Sequence, residues 1–210
     1  MKELTLADHL AIAWQYPGQE LQVIPAEYSQ IAGPYTYTNT FFPTMSPKQP
    51  ANCLSDSYCG AILKTWTGIE GVSAVDLFSG SNAFAVSPDR TERIWDLLEV
   101  PSNSDENYDD LMEGLLVPPV TGDYTFWIAS DDYGEFFFNA NYGFNTYGWT
   151  LICSAPESTG KREWDRFSEQ KSEPIGLVKD QPYLFQVSVL QSNNCCCETP
   201  SLLESAPVIS

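Results

Sequence analysis

Gly122-Asp123-Tyr124-Thr125-Phe126-Trp127-Ile128-Ala129-Ser130-Asp131-Asp132-Tyr133-Gly134-Glu135-Phe136-Phe137-Phe138 is the stretch on which the fold turns. Tyr124, Phe126 and Ile128 alternate with Thr125, Trp127 and Ala129, the two-residue period of a sheet. Ser130-Asp131-Asp132-Tyr133-Gly134 then interrupts the run, and all but the Tyr are turn formers. The stretch predicts a strand, a tight acidic corner and a second strand. Two adjacent carboxylates, Asp131 and Asp132, are thereby held at one loop tip. Vicinal acids repel. A hard cation such as Ca²⁺, which takes several oxygen ligands, would hold them together; a solvated acidic turn is the bland alternative.

Working outward, the same period predicts strands at Leu111 to Leu116, Tyr124 to Ala129, Glu135 to Asn139, Trp149 to Cys153, Ile175 to Leu177 and Tyr183 to Leu190. Short helical turns are expected at Val72 to Leu77 and Arg93 to Leu98. With 15 Pro and 13 Gly spread along 210 residues, long helices have little room. No run of eighteen apolar residues occurs, so no membrane insertion is expected. Asp105-Glu106-Asn107-Tyr108-Asp109-Asp110 reads as a solvated acidic loop, with a second Ca²⁺ there as the alternative.

Charge narrows the partners. Twenty-eight acids against 10 bases give a net charge of -18, which repels a phosphate backbone and argues against nucleic acid. Cations, or neutral ligands recognised through a cation, fit better. The N-terminal Met1-Lys2-Glu3-Leu4 lacks the basic and apolar regions of a secretory signal. The 6 cysteines nevertheless lean toward an oxidising compartment. Together these suggest an extracellular or cell-surface setting, with the chain part of a larger protein. Cys53 and Cys59 could close a small loop, Cys153 could pair with the tail, and Cys195, Cys196 and Cys197 are consecutive; sequence does not choose among the connectivities.

Val117-Pro118-Pro119-Val120-Thr121-Gly122-Asp123-Tyr124-Thr125-Phe126-Trp127-Ile128-Ala129-Ser130-Asp131-Asp132 resembles the signature of the anthrax protective-antigen-type (PA-fourteen) domain family. The resemblance runs from about Trp66 to Leu190. It takes in Gly68 to Leu77, Asp105 to Tyr108, Arg162-Glu163-Trp164-Asp165 and Glu169 to Ile175. That family is a β-sandwich of adhesins, glycosidases and fibrocystin-like surface proteins. The resemblance implies an all-β, antiparallel, jelly-roll-like sandwich. Asp8-His9-Leu10-Ala11-Ile12-Ala13-Trp14-Gln15 looks like the family's last strand, which ordinarily follows the segment ending near Leu190. The chain is accordingly divided into residues 1–30 (a terminal strand displaced to the N-terminus), 31–64 (a linker wrapping the domain), 65–191 (the main sandwich) and 192–210 (an irregular Cys-containing tail). Either the early strand completes the sandwich in cis, as in a circular permutation, or it ends a preceding copy. An unfilled strand position leaves backbone groups unpaired, so completion in cis is expected, with Leu10 to Trp14 antiparallel to Tyr183 to Leu190.

In sugar-binding members of the family a cis peptide joins the two acids of the corner. The acids chelate Ca²⁺, and the ion accepts vicinal sugar hydroxyls. The resemblance carries those roles to Asp131 and Asp132, and Asp8 matches the acid that precedes the final strand. Tyr133, Tyr142, Tyr147 and Trp149 could stack on sugar faces or simply pack. Trp127 and Phe137 read as sheet-face packing. His9 lacks the partners of a catalytic histidine. Glu135 and Asp132, on one hairpin, do not face each other across a glycosidase cleft. No phosphate loop, metalloprotease motif or nucleophile elbow is present. The expectation is a non-enzymatic, calcium-dependent carbohydrate-binding module whose partner is a glycan or cell-surface carbohydrate. The alternatives are a structural or protein-interaction spacer without sugar binding, and an accessory domain of a glycosidase.

Overall fold

The computed structural model describes residues 9–31, 59–67, 87–100, 108–141 and 148–190. Within them lie β1 (His9–Tyr16), β2 (Gln19–Val23), β3 (Ser29–Gln30), β4 (Ala61–Thr67), β5 (Arg90–Ile94) and β6 (Glu99–Val100). They are followed by β7 (Tyr108–Leu116), β8 (Gly122–Asp131), β9 (Tyr133–Phe138), β10 (Thr150–Ala155), β11 (Ile175–Leu177) and β12 (Tyr183–Leu190). Among the described residues, helical structure is confined to 3₁₀ turns such as Ala26–Tyr28 and Ser168–Gln170. The smaller sheet runs β11-β8-β1-β2 with β6 also on β1; the larger runs β10-β9-β12-β7-β4-β5 with β3 also on β7. All their named pairings are antiparallel. The all-β sandwich is as expected.

The period-2 reading explains the core. Tyr124, Phe126 and Ile128 of β8 are fully buried and face Phe136 and Phe138 of β9 and Phe185 of β12. The Phe126 and Phe136 rings meet edge-on at 5.5 Å between centroids, a favoured aromatic geometry. Trp14 joins from β1, 5.4 Å from Tyr124. One inward side chain of this size contributes about 1.5–3 kcal/mol through burial.

Several expectations need correction. β1 does complete the sandwich in cis, but it does not pair with β12. It lies antiparallel to β8, with Ile12 opposite Ile128 and His9 opposite Asp131. The two neighbours of β12 are β7 and β9, so its edges are already filled. Residues 93–98 are not a helical turn. Arg90–Ile94 pairs with β4, and beyond it the Leu98 amide donates to Ile24 O while the Ile12 amide donates to Leu98 O. Those bonds need extended backbone. β4 begins at Ala61, inside the stretch read as linker. Tyr108, Asp109 and Asp110 are buried residues of β7, not a solvated loop. Cys153 is a free, buried thiol and does not pair with the tail. Cys59 is disulfide-bonded, to a partner outside the described residues. Val72 to Leu77, Cys53 and the tail also lie outside them.

The free edge of β8 beyond β11 is closed by a polar strap. Phe126 N and O meet Ser172 Oγ (2.9 Å) and the Ser172 amide (2.9 Å). Gln170 Nε2 donates to Ile128 O at 2.8 Å. The Thr159 amide donates to Ser130 O at 2.9 Å, and the Ser130 amide to Thr159 Oγ1 at 3.1 Å. Gln170 and Thr159 are fully buried, and Ser172 nearly so; every one is hydrogen-bonded, as burial of polar atoms demands. The strap protects an edge that would otherwise pair with another chain.

Candidate metal and ligand site at the Asp131–Asp132 corner

The chain crosses from the smaller to the larger sheet at Asp131-Asp132, between the end of β8 and the start of β9. The peptide bond joining these acids is cis, as the resemblance implied. Asp131 is only 7% exposed, and Asp132 is half-buried. Ser130 Oγ donates to Asp132 O at 2.9 Å. The strap reaches the same corner: Ser158 Oγ donates to Asp132 Oδ1 at 2.7 Å, one residue before Thr159 pins the backbone of Ser130.

A second anchor fixes the strap from the far side. Lys161 Nζ and Arg162 Nη2 meet the two Glu99 oxygens at 2.7 and 2.6 Å. Glu99 belongs to β6, which pairs with β1 at Leu10 and Ala11. Burial raises the Glu99 carboxyl, but hydrogen bonds from Lys161 and Arg162 outweigh it and hold the group below its ordinary range. At Asp131 the balance runs the other way. Burial pushes its carboxyl up, the charge of Asp132 adds to the rise, and His9 opposes it. Proximity of a like charge and loss of water act in the same direction on an acid.

The corner offers carboxylate and hydroxyl oxygens, the donor type that suits Ca²⁺, with the buried His9 opposite Asp131. Asp131 and Asp132 come together as expected. Asp8, the third expected acid, lies outside the described residues, as do Tyr142 and Tyr147. Among the described residues no group of three or more His, Cys, Asp or Glu side chains is placed to hold a metal ion. Tyr133 follows the corner, but its hydroxyl donates to Glu135 Oε1 at 2.8 Å. Trp149 is half-buried and precedes Thr150, which pairs with Phe138. Phe138 ends β9, about 17 Å along the strand from Tyr133 at about 3.4 Å per residue. Trp149 thus lies at the far end of the hairpin from the acids. Trp127 and Phe137 sit within strands as expected; Lys171 Nζ lies 5.4 Å from the Trp127 ring centroid, a cation–π contact.

Ser158 and Thr159 were not legible as site residues. Ser158 and Asp132 are 26 residues apart, and nothing in the Pro156-Glu157-Ser158-Thr159-Gly160 stretch marks it as more than a loop.

Comparisons with known proteins add no relative: no protein-family model, no curated protein and no solved structure matches the chain.

Proposed function

We propose that the chain is a non-enzymatic, calcium-dependent carbohydrate-binding module of the protective-antigen type, working at the surface of a cell or in a secreted protein. One observation carries this reading. Asp131 is almost fully buried against Asp132, and a strap that is itself anchored to β6 holds the Asp132 carboxylate and the backbone of Ser130. Adjacent acids in a dry corner call for a proton or a cation to offset their charge. Asp131 and Asp132 would hold the ion. Bound calcium would supply a positive centre for vicinal sugar hydroxyls. Ser158 orients the Asp132 carboxylate, and Thr159 holds Ser130 so that the corner does not relax. The disulfide at Cys59 supports an oxidising compartment.

The test is a glycan array read with calcium and with chelator, on the full chain and on Asp132→Asn. Binding should require calcium, and the variant should lose it while melting cooperatively. Calcium that changes neither glycan binding nor melting temperature would remove the lectin reading. The spacer reading then stands, and it has its own support: Ser158 already gives Asp132 a hydrogen bond without any ion.

A further inference from the structure

Three buried oxygens on the outward face of the larger sheet have no hydrogen-bond partner: Asp109 Oδ2 on β7, Ser188 Oγ on β12 and Glu135 Oε2 on β9. Their residues are 4%, 1% and 5% exposed. Register puts them together. Ser188 stands opposite Glu135, and Asp109 stands opposite Leu190, two positions along the same strand. Cross-strand partners and i, i+2 neighbours share a face, and the other face, with Val187 and Val189, is the core. Two strand spacings and one two-residue step separate the backbones of Asp109 and Glu135 by about 12 Å. Ser188, cross-strand from Glu135 and diagonal to Asp109, lies between the two acids, and both would turn toward it to share a cation at about 2.3–2.6 Å.

Neither acid has a Lys, Arg or His partner among the described residues; the ion pairs go instead to Glu113, Glu92, Glu99 and Asp180. Burial, then the charge of Asp110, pushes the Asp109 carboxyl up to about 7. Burial also raises Glu135, against the hydrogen bond from Tyr133. An unpaired carboxylate out of water is strongly disfavoured, and so is an orphaned hydroxyl beside it. An oxygen-only set with two acids matches a hard divalent cation, its remaining positions filled by water or backbone carbonyls.

We propose that Asp109, Glu135 and Ser188 form a second site, separate from the Asp131–Asp132 corner, that takes a hard divalent cation, with Ca²⁺ as the first candidate. The proposal does not depend on sugar binding or on the corner being a calcium site.

The test is calcium stoichiometry by equilibrium dialysis and calorimetry on the full chain, with magnesium as the second probe. Asp132→Asn should retain one equivalent of Ca²⁺, and adding Glu135→Gln or Asp109→Asn should remove it. A retained equivalent held by magnesium instead also supports the site. If the unaltered chain binds one equivalent that Glu135→Gln removes and Asp132→Asn does not, the corner reading fails and this one stands. No binding of either ion by Asp132→Asn, or a retained equivalent that both outward-face changes leave in place, overturns the proposal. In chelator, Glu135→Gln and Asp109→Asn should melt no lower than the unaltered chain, because each removes a buried charge. Should both fail to fold, Ser188→Ala decides: at least a tenfold loss of affinity at the retained equivalent is expected, and unchanged affinity counts against the site.

Discussion

Gly134 sits where β9 passes close to Ser130 and Ile128 of β8. A Cβ placed on it would stand 2.4 Å from Ser130 Oγ and 3.0 Å from Ser130 Cβ. Ser130 cannot yield cheaply, since its hydroxyl donates to Asp132 O and its backbone is bound to Thr159. Gly134→Ala should therefore cost about 1–3 kcal/mol as an overpacked core position. Thermal melts should show the loss, together with weaker calcium binding if the corner holds the ion. An unchanged melting temperature would contradict the close approach. The glycine is read in sequence as a turn former, yet its use is steric. The acids were legible because their chemistry is unusual wherever they stand. The groups that hold them, Ser158 and Thr159, were not, because ordinary hydroxyls acquire a role only from what the fold brings beside them.

At the scale of the element, β1 teaches most. Leu10, Ile12 and Trp14 face the core, while Ala11 and Ala13 are equally buried on the other face. That pattern marks a central strand, and the sequence reading did require it to complete the sandwich. Periodicity names a strand and its faces but not its neighbours, and both sheets could have offered an antiparallel slot. The choice rests on β8, whose register against β1 runs from His9–Asp131 to Gln15–Thr125. The helical turn expected over 93–98 failed for a related reason: Ile94, Leu97 and Leu98 recur at helical spacing, but pairing with β4 and with Ile24 takes precedence. Deleting residues 1–16 should strip β8 of its partner and the core of Leu10, Ile12 and Trp14, at about 1.5–3 kcal/mol each. That loss is comparable to the roughly 5–15 kcal/mol that a domain has in total. The expected result is a chain with no cooperative melting transition by circular dichroism. A sharp transition near that of the intact chain would show that β1 is dispensable.

For the whole molecule, one aromatic cluster carries the response to alkali. Trp14 contacts Tyr16, Tyr28 and Tyr124 at 5.2, 5.4 and 5.4 Å between ring centroids. Tyr124 Oη donates to Val120 O at 2.8 Å, and burial pushes its hydroxyl up to about 12. Burial raises Tyr16 and Tyr28 as well. The unfolded chain releases these protons near pH 10. Between about pH 10 and 12 the folded state binds more protons than the unfolded one, so stability is full below pH 10 and falls as pH rises. Melting temperature followed from pH 8 to 12 should decline more steeply for the unaltered chain than for Tyr124→Phe. Parallel curves would place the alkaline loss elsewhere. Alternation and turn chemistry marked the strands, and the resemblance implied the sandwich; the closing of the β8 edge by Ser172, Gln170 and Thr159 was not legible, since single residues of a loop there stand in for a strand.

His9 opens β1 opposite Asp131, and Leu190 closes β12 opposite Tyr133, so the strands that begin and end the described sandwich flank the same two acids. Mechanical tension applied through those positions enters and leaves at one pole of the domain. It would unzip β1 from β8 and β12 from β9 one rung at a time, where a load across opposite poles would have to shear a whole ladder at once. The first rungs to part are those that frame Asp131 and Asp132, so a pull on the chain would loosen whatever is gripped there before the rest of the sandwich feels it.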